Sequence, residues 1–265
     1  MRIALGIEYD GGAFSGYQYQ SHAPSVQNAL EEALSAIAAA PVRIDAAGRT
    51  DAGVHATGQV VAFDAPAERP LSAWVRGSNA LSPPGVAVLW ARSVPPGFHP
   101  RFQATARRYM YLFADTVAAS PLLAGRVVFS RPLNDEAMHR AAQALLGEQD
   151  FSAFRAAACQ SRTARRCVHR VSVYRAGDFV IIDITANAFL LHMVRNIAGS
   201  LARVGLGSEG PEWIRALLAG RDRSRAAPTA PPDGLYLVDV RYPDLDLPGG
   251  RPPPLLRALG DLSRF

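Results

Sequence analysis

The stretch that decides how this 265-residue sequence is organised is Gly48-Arg-Thr-Asp-Ala-Gly-Val-His-Ala56, followed by Gly58. Residues alternate in polarity from Val42 to Ala46, and an apolar run covers Gln59–Phe63, so both flanks are predicted to be β-strands. The stretch is therefore a loop in which glycines surround the carboxylate of Asp51, and glycine permits the close approach of a ligand. Taken alone, a loop aspartate is more often a turn or cap residue, because its carboxylate bonds nearby backbone amides.

Several other short segments stand out along the chain: Gly6–Gly11, Ser25–Gln27, Phe98–His99, Ala104–Tyr109, Asp150–Ser152, Asn187–Phe189, His192–Asn196 and Gly234–Leu237. Together with Arg49–Ala56 they resemble the tRNA pseudouridine synthase A family over nearly the whole chain, to about residue 243. Two departures are Tyr17, where the family often has Trp, and Pro100, where Ala is common. The resemblance implies that Asp51 is a catalytic nucleophile and that Arg49 pairs with it and helps hold a flipped nucleotide. It also implies that the ring of Tyr109 packs against the target base.

The same resemblance implies a reaction and a partner. The reaction is isomerisation of uridine to pseudouridine in the anticodon stem-loop of tRNA, at positions 38 to 40 of tRNA numbering. The protein would be a homodimer with a positively charged cleft that receives one tRNA across both subunits. No metal, redox cofactor or nucleoside triphosphate is needed for this chemistry, and the sequence contains no phosphate-loop motif. The sequence leaves open whether the carboxylate attacks C1′ of the sugar, attacks C6 of the base, or assists a glycal-like route.

Composition restricts the class of protein. The net charge of +5 and pI near 9.6 suit a polyanionic partner, although such an excess is also common in proteins that bind none. All 28 cationic side chains are arginines, which compositional bias of the genome would also explain. Cys159 and Cys167 are too few for a zinc site or a disulfide framework. With no signal-type segment and no membrane-spanning run, the sequence predicts a soluble cytoplasmic protein.

Hydrophobic periodicity predicts the elements of the first half. A strand covers Arg2–Glu8, and a helix capped by Ser25 follows with its apolar face inward and Glu31 and Glu32 in water. The strands on either side of the Asp51 loop come next. A helix from Pro70 to Trp74 and a strand around Val86–Trp90 complete this half.

The second half is predicted to begin with a strand from Arg107 to Phe113. A helix capped by Asn134, two strands around residues 171–173 and 180–184, a long helix over 189–204 and a strand over 235–242 follow. The fold class is therefore α+β, with two related α/β layer domains, mainly antiparallel sheets, helices on one face and a shared RNA cleft. The predicted boundaries are residues 1–104, 105–245 and an extended or mobile Pro/Gly-rich tail over 246–265.

Two further site candidates each have a structural alternative. On strand 107–113, Tyr109 shares a face with Tyr111 and Phe113, which would ordinarily be a core face, so its binding role depends on the resemblance. On the long helix, Arg195 lies near His192 on a stripe that can line a cleft, although a solvated helix edge explains it comparably well. His55 is predicted to make a local backbone hydrogen bond rather than to act as a general base.

A basic segment lies in the second half of the chain. Its candidate RNA contacts are Arg155, Arg162, Arg165 and Arg166. Arginines in such a segment can position RNA through phosphates without reading its sequence, and the structural alternative is a solvated basic loop.

Two rival functions remain at this level. A non-catalytic RNA-binding module or tRNA chaperone of the same fold would tolerate the loss of the Asp51 carboxylate. A metal-assisted nuclease would need a cluster of carboxylates or histidines, which a single loop aspartate does not supply, and chelator would abolish its activity.

Overall fold

The structure, a computed structural model, describes residues 1–260, and the last part of the predicted tail, 261–265, lies outside the described residues. The backbone divides into two compact units. Unit 1 comprises residues 1–105 and 236–252, and unit 2 comprises residues 106–235 and the chain from residue 253. Residues 236–245, which the sequence had assigned to the second domain, thus group with the first half of the chain.

The strands of residues 1–260 are β1 (Arg2–Tyr9), β2 (Asp45–Ala46), β3 (His55–Asp64), β4 (Val86–Val94), β5 (Ala106–Ala114), β6 (Val128–Phe129), β7 (Gly147–Asp150), β8 (Arg165–Ala176), β9 (Phe179–Ala186) and β10 (Leu235–Arg241). The α-helices are α1 (Val26–Ala38), α2 (Leu71–Leu81), α3 (Asp135–Ala142), α4 (Met193–Gly205), α5 (Trp213–Gly220) and α6 (Pro254–Arg257). Most strand pairs are antiparallel, which confirms the predicted α+β class. None of the helices in residues 1–260 is long and apolar enough to cross a membrane.

In unit 1 the strands lie in the order β4, β1, β3, β10, with the short β2 beside β3. β1 is antiparallel to both β3 and β4, whereas β10 runs parallel to β3 and places Tyr236 opposite His55. The pairing of β1 with β3 shifts register near its end, from Ile7 opposite Gln59 to Tyr9 opposite Ala56. β3 therefore carries one extra residue at this point, next to the Asp51 loop.

The helices of unit 1 pack apolar side chains against its sheet. α1 begins at the predicted cap, where the Ser25 hydroxyl accepts the Asn28 N–H at 3.2 Å. α2 extends well beyond the predicted end at Trp74, and the Trp74 ring meets Phe63 of β3 edge to face with centroids 5.0 Å apart. Both rings are fully buried, so they form part of the core of this unit.

Two predictions, the strand over residues 42–46 and the exposure of Glu31, are wrong for one shared reason. The predicted strand over residues 42–46 shortens to β2, because the Val42 N–H donates to the Ser35 hydroxyl at 2.9 Å and the Ile44 N–H to the Glu31 carboxylate at 3.2 Å. Backbone groups bonded to α1 side chains in this way are lost to a strand ladder. Glu31 accordingly is only 4% exposed instead of facing water, and it also pairs with Arg43.

Unit 2 contains the strand order β5, β9, β8, β7, with β6 parallel to β5. All eight residues of β9 are buried, as expected of a central strand. On β5, Tyr111 and Phe113 are buried, whereas Tyr109 at the start of the strand is only half-buried. Tyr109 is therefore less buried than Tyr111 and Phe113, which belong to the core.

The long helix of unit 2 starts later than predicted. His192 has a φ of 60°, a left-handed conformation that a continuing helix does not contain, so α4 begins only at Met193. α3 begins at the predicted cap, because the Asn134 side chain accepts the Ala137 N–H at 2.9 Å.

Part of the predicted extended or mobile tail packs against β10 where the structure describes it. Gly250 donates its N–H to Asp239 of β10 at 2.9 Å, and a Cβ at Gly250 would lie within 1.5 Å of the Val238 carbonyl oxygen. The Thr57 hydroxyl donates to the Arg251 carbonyl at 2.5 Å, and further on Leu256 of α6 is fully buried. Glycine at position 250 has no side chain, so the chain can lie directly against β10. The Pro/Gly-rich composition of the tail is therefore compatible with close packing.

One ion pair of unit 2 predicts an acid-sensitive contribution to stability. Arg175 donates to both carboxylate oxygens of Asp115 at 2.8 and 2.7 Å, and these hydrogen bonds lower the pKa of the Asp115 carboxyl. A lowered pKa means that the pair stabilises fully above the unfolded-state value of about 3.9 and loses this contribution as pH falls through the folded-state value. We expect Asp115→Asn to lower the urea-unfolding free energy at pH 7, and the difference from wild type to shrink by pH 3. An unchanged difference at the two pH values would contradict this assignment.

Candidate active site

The residue before Asp51 is fixed by both its side chain and its backbone. The Thr50 hydroxyl lies 2.8 Å from the Tyr9 hydroxyl at the end of β1, and its carbonyl accepts the Tyr17 N–H at 3.1 Å. Thr50 and Tyr9 are both buried, so these bonds are shielded from water. The position of the backbone immediately before Asp51 is therefore fixed.

The residues after Asp51 form a tight turn against the end of β1. The Asp51 carbonyl accepts the Val54 N–H at 3.1 Å, and the Gly53 N–H donates to the Gly11 carbonyl at 3.3 Å. Gly53 has a φ of 79°, and a Cβ at Gly11 would lie 2.1 Å from the Val54 carbonyl oxygen. Both glycines are thus required by the turn, which leaves Asp51 half-buried at its start.

His55 lies on β3 and supports this turn. Its Nδ1 accepts the Gly11 N–H at 3.1 Å, and its buried ring stacks on Tyr236 with centroids 4.6 Å apart. The same Nδ1 is 3.2 Å from the Asp10 carboxylate, but a nitrogen that accepts the Gly11 proton cannot also donate to Asp10. We assign Nδ1 as the acceptor, because the backbone N–H has no choice of role. His55 thus makes a backbone hydrogen bond, but its partner Gly11 lies 44 residues away and is not the local partner that the sequence predicted.

Arg49 stands on the same loop as Asp51 and is exposed. Its charge reaches the neighbouring Tyr17 phenol. Burial raises the pKa of the Tyr17 hydroxyl well above its usual range, and the positive charge of Arg49 acts in the opposite direction. The positive charge of Arg49 therefore lies near Tyr17, on the loop that carries Asp51.

Tyr109 and Arg195 belong to unit 2. The Tyr109 ring meets Phe189 edge to face with centroids 5.0 Å apart. Arg195, in the first turn of α4, donates its Nε–H to the Ala230 carbonyl at 2.8 Å, and the Ala230 N–H returns a bond to the Arg195 carbonyl at 3.2 Å. Arg195 thus fixes the segment before β10, in addition to any contact it makes with a substrate.

The basic segment contains two kinds of arginine. Arg155 donates to the Cys159 and Ser161 carbonyls at 2.7 and 2.8 Å, so it closes its own loop. Arg166 is half-buried and donates to the Ser161 hydroxyl at 2.6 Å, and burial lowers the pKa of its guanidinium. These two side chains shape the segment.

Arg162 and Arg165 are of the other kind, because both are exposed. Arg165 pairs with Glu148 of β7 at 3.0 Å, a surface contact that costs little to exchange for a phosphate. Of the four arginines, these two therefore present accessible charge.

Some residues around the loop were not identified from sequence. Tyr9 and Gln59 are buried, and each bonds part of the loop, since the Gln59 Nε2 donates to the Gly48 carbonyl at 2.7 Å. Tyr9 falls inside the matched segment Gly6–Gly11, which was the available signal. In unit 2, buried Asn196 donates to the Phe154 carbonyl at 2.7 Å and was likewise not singled out.

Comparison with known proteins identifies the family of this chain. A family model described as tRNA pseudouridine synthase matches residues 6–103 and 141–243. A tRNA pseudouridine synthase A of Actinobacillus pleuropneumoniae serotype 7 is 55% identical over 245 residues, which cover 92% of this chain and 94% of that protein. A tRNA pseudouridine synthase A of Shewanella loihica is 56% identical with the same coverage.

Among solved structures, one chain of a Cbf5-Nop10-Gar1 complex aligns with 89% of this chain and 48% of its own length, at 12% identity and a TM-score of 0.36. At this identity and TM-score the likeness says nothing about the function of this chain. The family model and the relatives show that the chain belongs to the tRNA pseudouridine synthase family, a family of isomerases.

Proposed function

We propose that this protein isomerises uridine to pseudouridine in tRNA with the Asp51 carboxylate as the nucleophile. The observation that carries the proposal is the loop itself, in which Asp51 is half-buried between a fixed Thr50 and a glycine turn. A carboxylate held in one orientation can meet a nucleotide at a defined distance, and such positioning is a large part of catalysis. Membership of the family supplies the reaction and the tRNA substrate.

The reaction conserves all atoms of the nucleotide. The bond from N1 of the base to C1′ of the sugar breaks, the base turns, and a new bond joins C5 to C1′. The proton on C5 leaves, and N1 gains a proton from solvent or from a nearby group. The Asp51 carboxylate serves this sequence by adding to C1′, by adding to C6, or by assisting formation of a glycal, and its ionised form is required in each case.

Two further side chains are proposed to contact the target nucleotide. Arg49 provides a positive charge on the same loop, which stabilises the ionised carboxylate and attracts the phosphate of the target nucleotide. The half-buried ring of Tyr109 is the proposed stacking partner for a base that has left its stack. The assignment of Tyr109 rests on the matched segment Ala104–Tyr109. The assignment of Arg195 as a substrate-binding residue rests on the matched segment His192–Asn196.

The finer parts of the proposal concern where the enzyme acts and in what form. We infer uridines of the anticodon stem-loop, at tRNA positions 38 to 40, and a homodimer, both supported by the family. A cytoplasmic location is supported by the tRNA substrate. It is also supported by Cys159 and Cys167, which form no disulfide bond with each other. Reverse-transcription mapping of carbodiimide-treated tRNA tests the positions, and sedimentation equilibrium tests the dimer.

Exposed arginines of the basic segment are expected to bind tRNA phosphates. We expect Arg162→Ala with Arg165→Ala to weaken tRNA binding and to lower the slope of log affinity against log salt by about 0.7 to 0.9 per lost phosphate contact. Binding is measured by filter retention across a salt series. Arg215→Ala, which removes an exposed arginine of α5, is the matched control and should leave the slope unchanged. An unchanged slope in the double variant would remove these two residues from the RNA interface.

Release of tritium from tRNA labelled at C5 of uridine, without any added group donor, tests the proposed reaction, because isomerisation through C5 frees that proton. We expect release that continues in the presence of chelator. Folded protein that binds tRNA and releases no tritium from any tRNA would contradict the proposal and would favour an RNA-binding module.

A further inference from the structure

Three buried polar side chains form a connected group beneath the Asp51 loop. The Tyr9 hydroxyl lies 2.8 Å from the Thr50 hydroxyl, and the Gln59 Nε2 lies 3.5 Å from the Tyr9 oxygen. All three side chains are at least nine-tenths buried, and Gln59 is fully buried. The group joins the end of β1 to the middle of β3 and to the residue before Asp51.

The direction of the bonds made by Gln59 follows from its amide. Its Oε1 accepts the Val60 N–H at 3.2 Å, so the amide nitrogen is the atom that faces the Gly48 carbonyl and the Tyr9 oxygen. An amide nitrogen only donates, so both of these oxygens accept. In the bond between the Tyr9 and Thr50 hydroxyls, either oxygen can be the donor. Burial raises the pKa of Tyr9 to about 12, and the phenol is protonated at neutral pH.

The two ends of the group hold two points of the loop. Gln59 fixes the Gly48 carbonyl at 2.7 Å, and Tyr9 fixes the Thr50 side chain. Arg49 lies between these two points and Asp51 immediately follows the second. The extra residue of β3 near Tyr9 displaces the regular pairing at this place, a feature that often re-aims side chains beside active sites.

A neighbouring tyrosine provides a contrast within the same unit. The Tyr17 ring lies 6.3 Å from the Tyr9 ring and is only 2% exposed. Its hydroxyl is buried with no hydrogen-bond partner among the described residues. Two buried phenols therefore differ in one respect, since only the Tyr9 hydroxyl bonds the loop.

We propose that Tyr9, Thr50 and Gln59 are positioning residues that orient the Asp51 carboxylate through the loop backbone and do not touch the substrate. The proposal rests on the proposed role of Asp51 as nucleophile. Misplacement of a reacting group by about 1 Å costs roughly 100-fold in rate. Loss of the Tyr9 hydroxyl should therefore lower the rate of the chemical step and leave tRNA affinity as it was.

The test compares hydroxyl removal at the two tyrosines. We expect Tyr9→Phe to lower kcat for tritium release by about 10- to 100-fold with KM and tRNA affinity within about twofold of wild type. Tyr17→Phe keeps the backbone bond to Thr50 and should retain the wild-type kcat, with an unfolding midpoint that is unchanged or raised. Thr50→Val should resemble Tyr9→Phe, Thr50→Ser should restore most of the rate, and the Tyr9→Phe, Thr50→Val pair should be no slower than the slower single variant.

Several outcomes would overturn the proposal. A wild-type kcat in folded Tyr9→Phe would do so, as would equal losses in Tyr9→Phe and Tyr17→Phe, or fully additive losses in the double variant. Asp51→Asn, assayed in parallel, separates this failure from that of the proposed function. If Asp51→Asn is active, the nucleophile assignment fails; if it is inactive while Tyr9→Phe is normal, only the positioning role fails.

Discussion

Replacing Asp51 with Asn is expected to lower the rate of pseudouridine formation by about 10⁴-fold or more, the loss typical of a missing nucleophile. The substitution keeps the size of the side chain and its capacity to bond backbone amides. Half-burial of the residue in a turn held by Thr50 and Gly53 means that the fold should tolerate it. Single-turnover tritium release with enzyme in excess over tRNA measures the effect on chemistry.

Asp45→Asn is the matched control for this result. Asp45 lies in β2 of the same unit, is exposed, and pairs with Arg2, which also pairs with Asp64. Loss of this surface carboxylate should leave the rate within about twofold of wild type, because Arg2 keeps a second partner. A comparable loss in both variants would indicate a general effect of reduced charge and would contradict a specific role for Asp51.

Replacing Arg108 with Met is expected to lower the free energy of unfolding by about 3 to 5 kcal/mol. Arg108 of β5 bonds both carboxylate oxygens of Asp183 at 2.8 and 2.6 Å, and Asp183 on β9 is only 2% exposed. Removing the guanidinium leaves a buried carboxylate without this partner, and the desolvation of that carboxylate is then uncompensated. Urea unfolding followed by circular dichroism measures the change.

Two variants make this expectation specific. Arg140→Met removes an exposed arginine of α3 whose nearest carboxylate, Glu136, is 4.0 Å away, so it should cost less than about 1 kcal/mol. Arg108→Met combined with Asp183→Leu removes both charges and should regain much of the lost stability. If the double variant were as unstable as Arg108→Met alone, shape at this position would explain the loss better than the unpaired charge does.

The sequence predicted the parts of the structure that depend on local pattern. The loop around Asp51, the caps Ser25 and Asn134, and most strands follow from glycine content, cap chemistry and apolar periodicity, which act over a few residues. The start of α4 was missed because His192 adopts a left-handed conformation within an otherwise helical pattern. A histidine at position 192 does not by itself predict a left-handed conformation.

The contacts that hold the loop depend on pairing between distant segments. Tyr9 and Thr50 are 41 residues apart, and they meet beside the place where the register of β1 on β3 shifts. A one-residue shift changes which side chains face each other, and hydrophobic pattern does not report it. Charge alone also did not separate Arg155, which bonds its own loop, from exposed Arg162.

The most direct test of the central claim is the pseudouridine content of tRNA after incubation with excess wild-type or Asp51→Asn protein, with tRNA binding measured in the same samples. Nuclease digestion and chromatography separate the two nucleosides. We predict that wild type forms pseudouridine and that the variant binds tRNA with similar affinity and forms none over the same time. Pseudouridine formed by Asp51→Asn at the wild-type rate would contradict the assignment of the carboxylate as the nucleophile.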